Sequence, residues 1–140
     1  MQTNQQFAVS VHILTILSAY PDQAMTSESI AESVDTNPVV IRRVMGHLRE
    51  HGLVDSRPGA SGGWRLRRPA GQIQLGEVYR AVSHEDVLAM HTHPNPDCPI
   101  GSKIQGVLEP VFGEAQSALE AALSRFTVAD MLGEILNGAD

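Results

Sequence analysis

Apolar positions in this chain fall into helical runs, separated by one short stretch that alternates. From Phe7 to Tyr20 nearly every position is apolar, with only a narrow polar stripe through His12 and Thr15. Such a pattern predicts a helix buried on most sides, by a second subunit as well as by its own domain. Pro21-Asp22 ends it. "MTSESIAESV" predicts a short helix with Thr26 as N-cap and Ile30, Ala31 and Val34 facing inward. "DTNPVVIRRVMGHLREHGL" carries the clearest local signal. Asn37 suits the N-cap, and Pro38 suits the next position, where a missing N–H costs nothing. Val40 or Ile41, then Val44, Met45 and Leu48, make the inward stripe. Arg42, Arg43, His47 and Arg49 fall elsewhere on that helix, and Gly52 closes it. Two short helices joined by a tight turn, the second bearing exposed arginines, describe a helix-turn-helix.

Alternation begins next. "LVDSR" and "WRLR" each predict a short strand, and "PGASGG" between them supplies turn chemistry. Trp64 and Leu66 alternate with Arg65 and Arg67, so one face packs while the other points out. A hairpin directly after a helix-turn-helix makes a winged helix. "QIQLGEVYRAVS" predicts a short strand or turn, then a helix with Val78, Tyr79 and Val82 inward. "HEDVLAMHTHPNPDCPIGS" breaks regularity with three prolines and predicts an ordered loop. Helical spacing returns through Ile104, Leu108, Val111, Ala115, Leu119, Ala122 and Phe126, close to the 3.5 residues of helices packed lengthwise. Pro110 either kinks this helix or opens it with Glu109 as N-cap. Thr127 caps a last helix, "VADMLGEIL", which ends at Asn137-Gly138.

Charge sharpens the picture. The formal net charge is -6, yet residues 42–68 hold seven arginines against Glu50 and Asp55, a net of +5. Residues 71–140 hold three Lys/Arg against ten Asp/Glu, a net of -7. A local cation on an anionic body decides polyanion binding more than overall pI does. Wing glycines permit close approach to a sugar-phosphate backbone, and the arginines beside them supply charge. The expectation is DNA binding; a hairpin whose arginines merely solubilise it is the bland reading. The 140 residues, 42% hydrophobic, suit one compact domain with an appendage that needs a partner. A single cysteine, Cys98, excludes an internal disulfide framework and fits a reducing cytoplasm. "MQTNQQ" lacks the basic region of a signal peptide, and the first apolar run is too short to span a bilayer. The expected location is cytoplasmic.

From "LREHGLV" through "GASGGWRL" to "QLGEVYRAV" the chain resembles the Rrf-type winged-helix regulators. These are bacterial transcription factors that include the iron–sulfur regulator IscR, the nitric-oxide sensor NsrR and CymR. The loop "HPNPDCPIG" resembles the subgroup typified by YwnA. The resemblance covers essentially the whole chain and implies a mainly α fold with a small β-hairpin wing and a long C-terminal dimerisation helix. It divides the chain into a winged helix-turn-helix DNA-binding domain (1–83), a sensor loop (84–103), and a dimerisation helix with a C-terminal helix (104–140). A homodimeric repressor on a palindromic operator of double-stranded DNA is implied, with no enzymatic activity.

At matching positions the resemblance assigns DNA contact to Asn37, Val39, Val40, Arg42 and Arg43 of the recognition helix. It assigns Ser61, Gly62, Gly63 and Arg65 to the wing, and makes Thr26 and Ser27 candidate phosphate contacts. Arg67 is expected to matter less, and Arg68 to cap the strand. Cluster-binding members carry three cysteines before the long helix, whereas this chain has only Cys98, so a cysteine-ligated [2Fe–2S] cluster within one subunit is not available. Atypical members recruit a glutamate and a histidine from the first helix. His12 is placed for that, but Ala8 stands where the glutamate is needed. No cofactor is expected.

Cys98 is the candidate redox or ligand sensor, and with Pro99 as N1 it would cap the dimer helix. A competing reading is a metal-binding protein or enzyme that uses His91, His93 and Cys98 as three ligands. Another is an interaction module that has lost DNA binding.

Overall fold

The computed structural model describes residues 3–138, and side chains from residue 5 onward; the outermost residues of the expected 1–83 and 104–140 units lie outside that range. Helix α1 (Thr3–Ala19) sends Ile13, Leu14 and Leu17 into the core at helical spacing. The expected polar stripe is narrower than its sequence suggested. His12 is exposed, but Thr15 is buried. Its hydroxyl donates to the Val11 carbonyl at 2.7 Å, as Ser10 does to Gln6, so a satisfied hydroxyl packs as an apolar group does.

Helix α2 (Ser27–Val34) opens on Thr26, whose hydroxyl accepts the Ser29 N–H at 3.0 Å. It ends at Asp35 in the left-handed region, φ 61°. Helix α3 (Pro38–Glu50) follows at once, with Asn37 accepting the Val39 N–H at 2.8 Å and Pro38 in the first turn. Ile41 rather than Val40 heads the inward stripe, followed by Val44, Met45 and Leu48, all fully buried. The stop is a Schellman arrangement. Gly52 N–H bonds to Arg49 O, Leu53 N–H bonds to Leu48 O, and Gly52 takes φ +72°.

Strands β1 (Val54–Arg57) and β2 (Gly63–Leu66) pair antiparallel, with Val54 opposite Leu66 and Arg57 opposite Gly63. One further bridge joins Met25 to Trp64, so the wing is pinned to the residue that leads into α2. "QIQ" resolves into a 3-10 turn (Ala70–Gln72) and a single bridge from Gln74 to Thr127. Helix α4 (Leu75–Val82) then buries Val78, Tyr79 and Val82.

Helix α5 (Ile104–Leu123) begins where the helical spacing does, decides between the two readings of Pro110 and corrects the extent of the seam. It starts well before Pro110 and runs through it, which leaves the Gly106 carbonyl without its usual partner. It also stops before Phe126, so the apolar seam is shorter than expected. Phe126 lies in the turn after α5, where its carbonyl accepts the Leu75 N–H at 2.9 Å. Helix α6 (Val128–Asn137) opens on a full capping box between Thr127 and Asp130, and Val128 joins the core. Among the described residues no helix is long and apolar enough to cross a membrane.

Candidate nucleic-acid interface

The capped start of α3 displays side chains that its core does not need. Asn37, Val39, Arg42 and Arg43 are exposed, Val39 to 56%. Asn37 spends its carbonyl oxygen on the helix cap and keeps its amide N–H groups free to donate. Val39 offers an apolar contact of the kind a thymine methyl accepts. Val40 is placed differently, half-buried against the core. Arg42 Nη2 pairs with Glu28 Oε1 at 2.6 Å, both largely exposed, whereas Arg43 has no ion-pair partner among the described residues. A solvent-exposed pair of this kind holds roughly 0–1 kcal/mol, so Arg42 is released at little cost.

The wing is held against α2 by the sole tryptophan. Trp64 exchanges two backbone hydrogen bonds with Met25, at 2.8 and 3.0 Å, and its Nε1–H donates to Ser27 Oγ at 3.1 Å. Ser27 is buried, so its hydroxyl serves this strut, while Thr26 beside it is exposed. Thr26 Oγ1 accepts from the helix and retains a free O–H to donate outward. Arg49 of α3 lies over the Trp64 ring, 5.7 Å from its centroid. Recognition helix, α2 and wing are thus tied through one indole.

Both wing glycines answer an internal need. A Cβ on Gly62 would overlap the Arg57 carbonyl, and one on Gly63, at φ +139°, would sit 2.6 Å from Met25 O. They let the hairpin close and cross the Met25 segment; Ser61 stands exposed at the tip. The strict in–out alternation of β2 is blurred. Trp64 and Leu66 pack on the core as expected, but Arg65 is half-buried beside Leu17, Ser18 and Tyr20, with its Nε shielded from water. Arg67 is exposed. Arg68 does more than cap a strand, because it pairs with Glu77 of α4 at 2.7 Å with both side chains about one-third exposed.

Between α4 and α5 the chain has no regular element. Cys98 does not cap α5, which begins six residues later, at Ile104. Its thiol instead faces the Gly101 and Ile100 N–H groups of a local turn, and these hydrogen bonds hold its pKa below the usual thiol value. His93 takes φ 56°, and the His91 carbonyl accepts from Gln105 at 2.6 Å. Among the described residues no three His, Cys, Asp or Glu side chains, His91, His93 and Cys98 included, converge as a ligand set. His12 sits apart on α1.

Sequence reasoning missed the Met25–Trp64 bridge, the Arg49–Trp64 stacking and the Arg68–Glu77 pair. The available signal was a lone tryptophan directly after two glycines. Also unforeseen is an edge-to-face contact between His47 of α3 and His84, centroids 4.9 Å apart, which ties the recognition helix to the start of the loop.

A helix-turn-helix with a two-stranded wing, exposing arginine from both, defines a winged-helix DNA-binding protein, a regulator rather than an enzyme. The chain belongs to the Rrf2 family, described as iron-dependent transcriptional regulators, which it matches over residues 3–134. It is 41% identical over 133 residues to YwnA of Bacillus subtilis strain 168, named as an HTH-type transcriptional regulator, spanning 94% of this chain and 98% of YwnA. A crystal structure described as a DNA-binding protein is 38% identical with a TM-score of 0.76, covering 91% of this chain and 98% of that one. A transcriptional regulator from Lactobacillus plantarum superposes with a TM-score of 0.80 at 27% identity, over 93% and 89% of the two chains.

Proposed function

We propose that this protein is a cytoplasmic homodimeric repressor that places two copies of α3 in successive major grooves of a pseudo-palindromic operator. One observation carries the dimer: α5, 20 residues long, buries no residue in the single chain and leaves Val107 and Val111 64% and 55% exposed. An apolar seam of that length on an open helix favours a second copy. Within each subunit, Arg43, Arg42 and Val39 read base edges, Asn37 and Thr26 donate to phosphate, and Ser61 and Arg65 of the wing contact the backbone or minor groove. Selection of bound fragments from genomic DNA tests this reading. Wild type is expected to enrich a two-fold symmetric sequence, and Arg43→Ala to lose it. Enrichment of no sequence by the wild type contradicts the reading.

For the signal, the same proposal assigns a redox role to Cys98. Its lowered pKa favours the thiolate, the reactive form, and the loop connects the winged helix to α5. Oxidation there would shift the base of the dimer helix and release DNA. Operator affinity is expected to fall for wild type after mild hydrogen peroxide, which takes the thiolate to a sulfenic acid while the peroxide is reduced to water, and to stay constant for Cys98→Ser. Equal responses assign Cys98 a structural part.

A further inference from the structure

A cavity of about 500 Å³ opens between α1, the turn after it, α2 and α6, on no element of the long-helix seam. Its floor is apolar, built from Ile16 and Ala19 of α1 and from Leu132 and Ile135 of α6. Hydroxyl and amide groups ring it: Tyr20, Gln23, Ser29 and Ser33, whose side chains donate or accept no hydrogen bond among the described residues. His12 of α1 stands on its wall, but no Asp, Glu, Lys or Arg lines it, in a chain where those residues make up 19%. Volume, concavity and a few polar groups on an apolar wall fit a small-molecule site. Apart from the His12 imidazole the wall offers an ion no counter-charge, so an ion would lose hydration there with little to replace it.

Met25 lies in the same wall, and its backbone N–H and C=O are the groups bridged to Trp64 of the wing. We infer that this cavity binds a small, uncharged, largely apolar molecule bearing a hydroxyl or carbonyl, and that occupancy is transmitted to the wing through the Met25–Trp64 bridge. A ligand pressing on Met25 displaces the strand that Trp64 anchors, so the sole indole reports it. The site does not depend on the DNA reading, because binding and indole response are both measured on the free protein.

Menthol, neutral and transparent where tryptophan absorbs, is the probe; menthane-3-carboxylate is its charged counterpart. Amide NMR shifts are expected at Ile16, Ser33 and Leu132 on addition of menthol, with a change in Trp64 emission over the same concentrations. The carboxylate is expected to bind at least tenfold more weakly. Ala19→Trp and, from the opposite wall, Ser33→Trp fill the space from exposed positions, and each is expected to weaken menthol binding at least tenfold. Three results overturn the inference: no saturable shift with menthol, equal binding of the carboxylate, or unchanged menthol affinity in whichever variants fold. Shifts at these amides that follow protein concentration without any probe also overturn it, by showing that a second copy fills the groove.

Discussion

Residues 25–68 and residues 84–123 treat their apolar side chains in opposite ways. In the first, every helix is capped, Ile30, Ile41, Val44 and Leu48 are fully buried, and a single indole joins three elements. In the second, a loop without regular structure leads into a helix with no fully buried residue, and Val87, Leu88 and Ile100 stand exposed. The first region buries its core side chains within one chain and exposes arginines along α3 and the wing. The second leaves apolar side chains of its loop and helix exposed on the single chain. On the proposed reading this is a division of labour: one region supplies the contact chemistry, the other the spacing of two such contacts.

Substitution in the seam separates the two regions most sharply. Val111→Glu is expected to leave the winged helix folded but to give monomers in sedimentation, with operator affinity falling about 100-fold or more as the second contact becomes independent. A Val111→Glu dimer would place the interface elsewhere.

Within the contact region, Arg43→Ala is expected to remove about 1–3 kcal/mol of discrimination at one base position, measured by competition between operator and single-base variants. Arg42→Ala is expected to cost less, because its guanidinium already has Glu28 as partner. Gly63→Ala probes the frame instead of the contact. At φ +139° and against Met25 backbone, the added methyl is expected to destabilise the fold by roughly 1–3 kcal/mol in urea unfolding.

These expectations were unequally legible in the sequence. Caps and the Schellman stop could be read because Thr26, Asn37, Pro38 and Gly52 each act within a few residues of their own position. The wing strands could be read for the same reason. Ser27 could not, since its hydroxyl is claimed by Trp64, 37 residues away. Nor could the choice at Pro110, which the spacing from Ile104 left open between a helix that opens there and one that runs through. The glycines were read as openings for DNA, whereas their first duty is to let β2 pass the Met25 segment. Long-range closure, invisible to periodicity, made the difference for Ser27 and for the wing glycines.

Arg65→Ala refines the contact side. Half-buried, its guanidinium is expected to reach one phosphate, so the variant should lower the slope of log affinity against log salt by about one. An unchanged slope makes Arg65 a packing residue of the α1 cleft. The smallest effect belongs to Cys98. With its pKa held low by the Gly101 and Ile100 N–H groups, alkylation should reach half its maximal rate at a pH below that of a free thiol. The sign for stability follows: the contribution is fully present above the unfolded thiol pKa and is lost as pH falls through the folded one. Substituting Pro99 should not abolish the shift, as the donors lie beyond it.

The central claim is that two copies of α3 act together on one face of the duplex. Hydroxyl-radical footprinting of the selected operator tests it most directly. The account predicts two protected patches related by two-fold symmetry, with half-site centres about 10 bp apart or a multiple of that, and loss of both patches together in Val111→Glu at concentrations where the wild type is saturated. A single protected patch, or two patches that Val111→Glu retains at wild-type concentration, would contradict it.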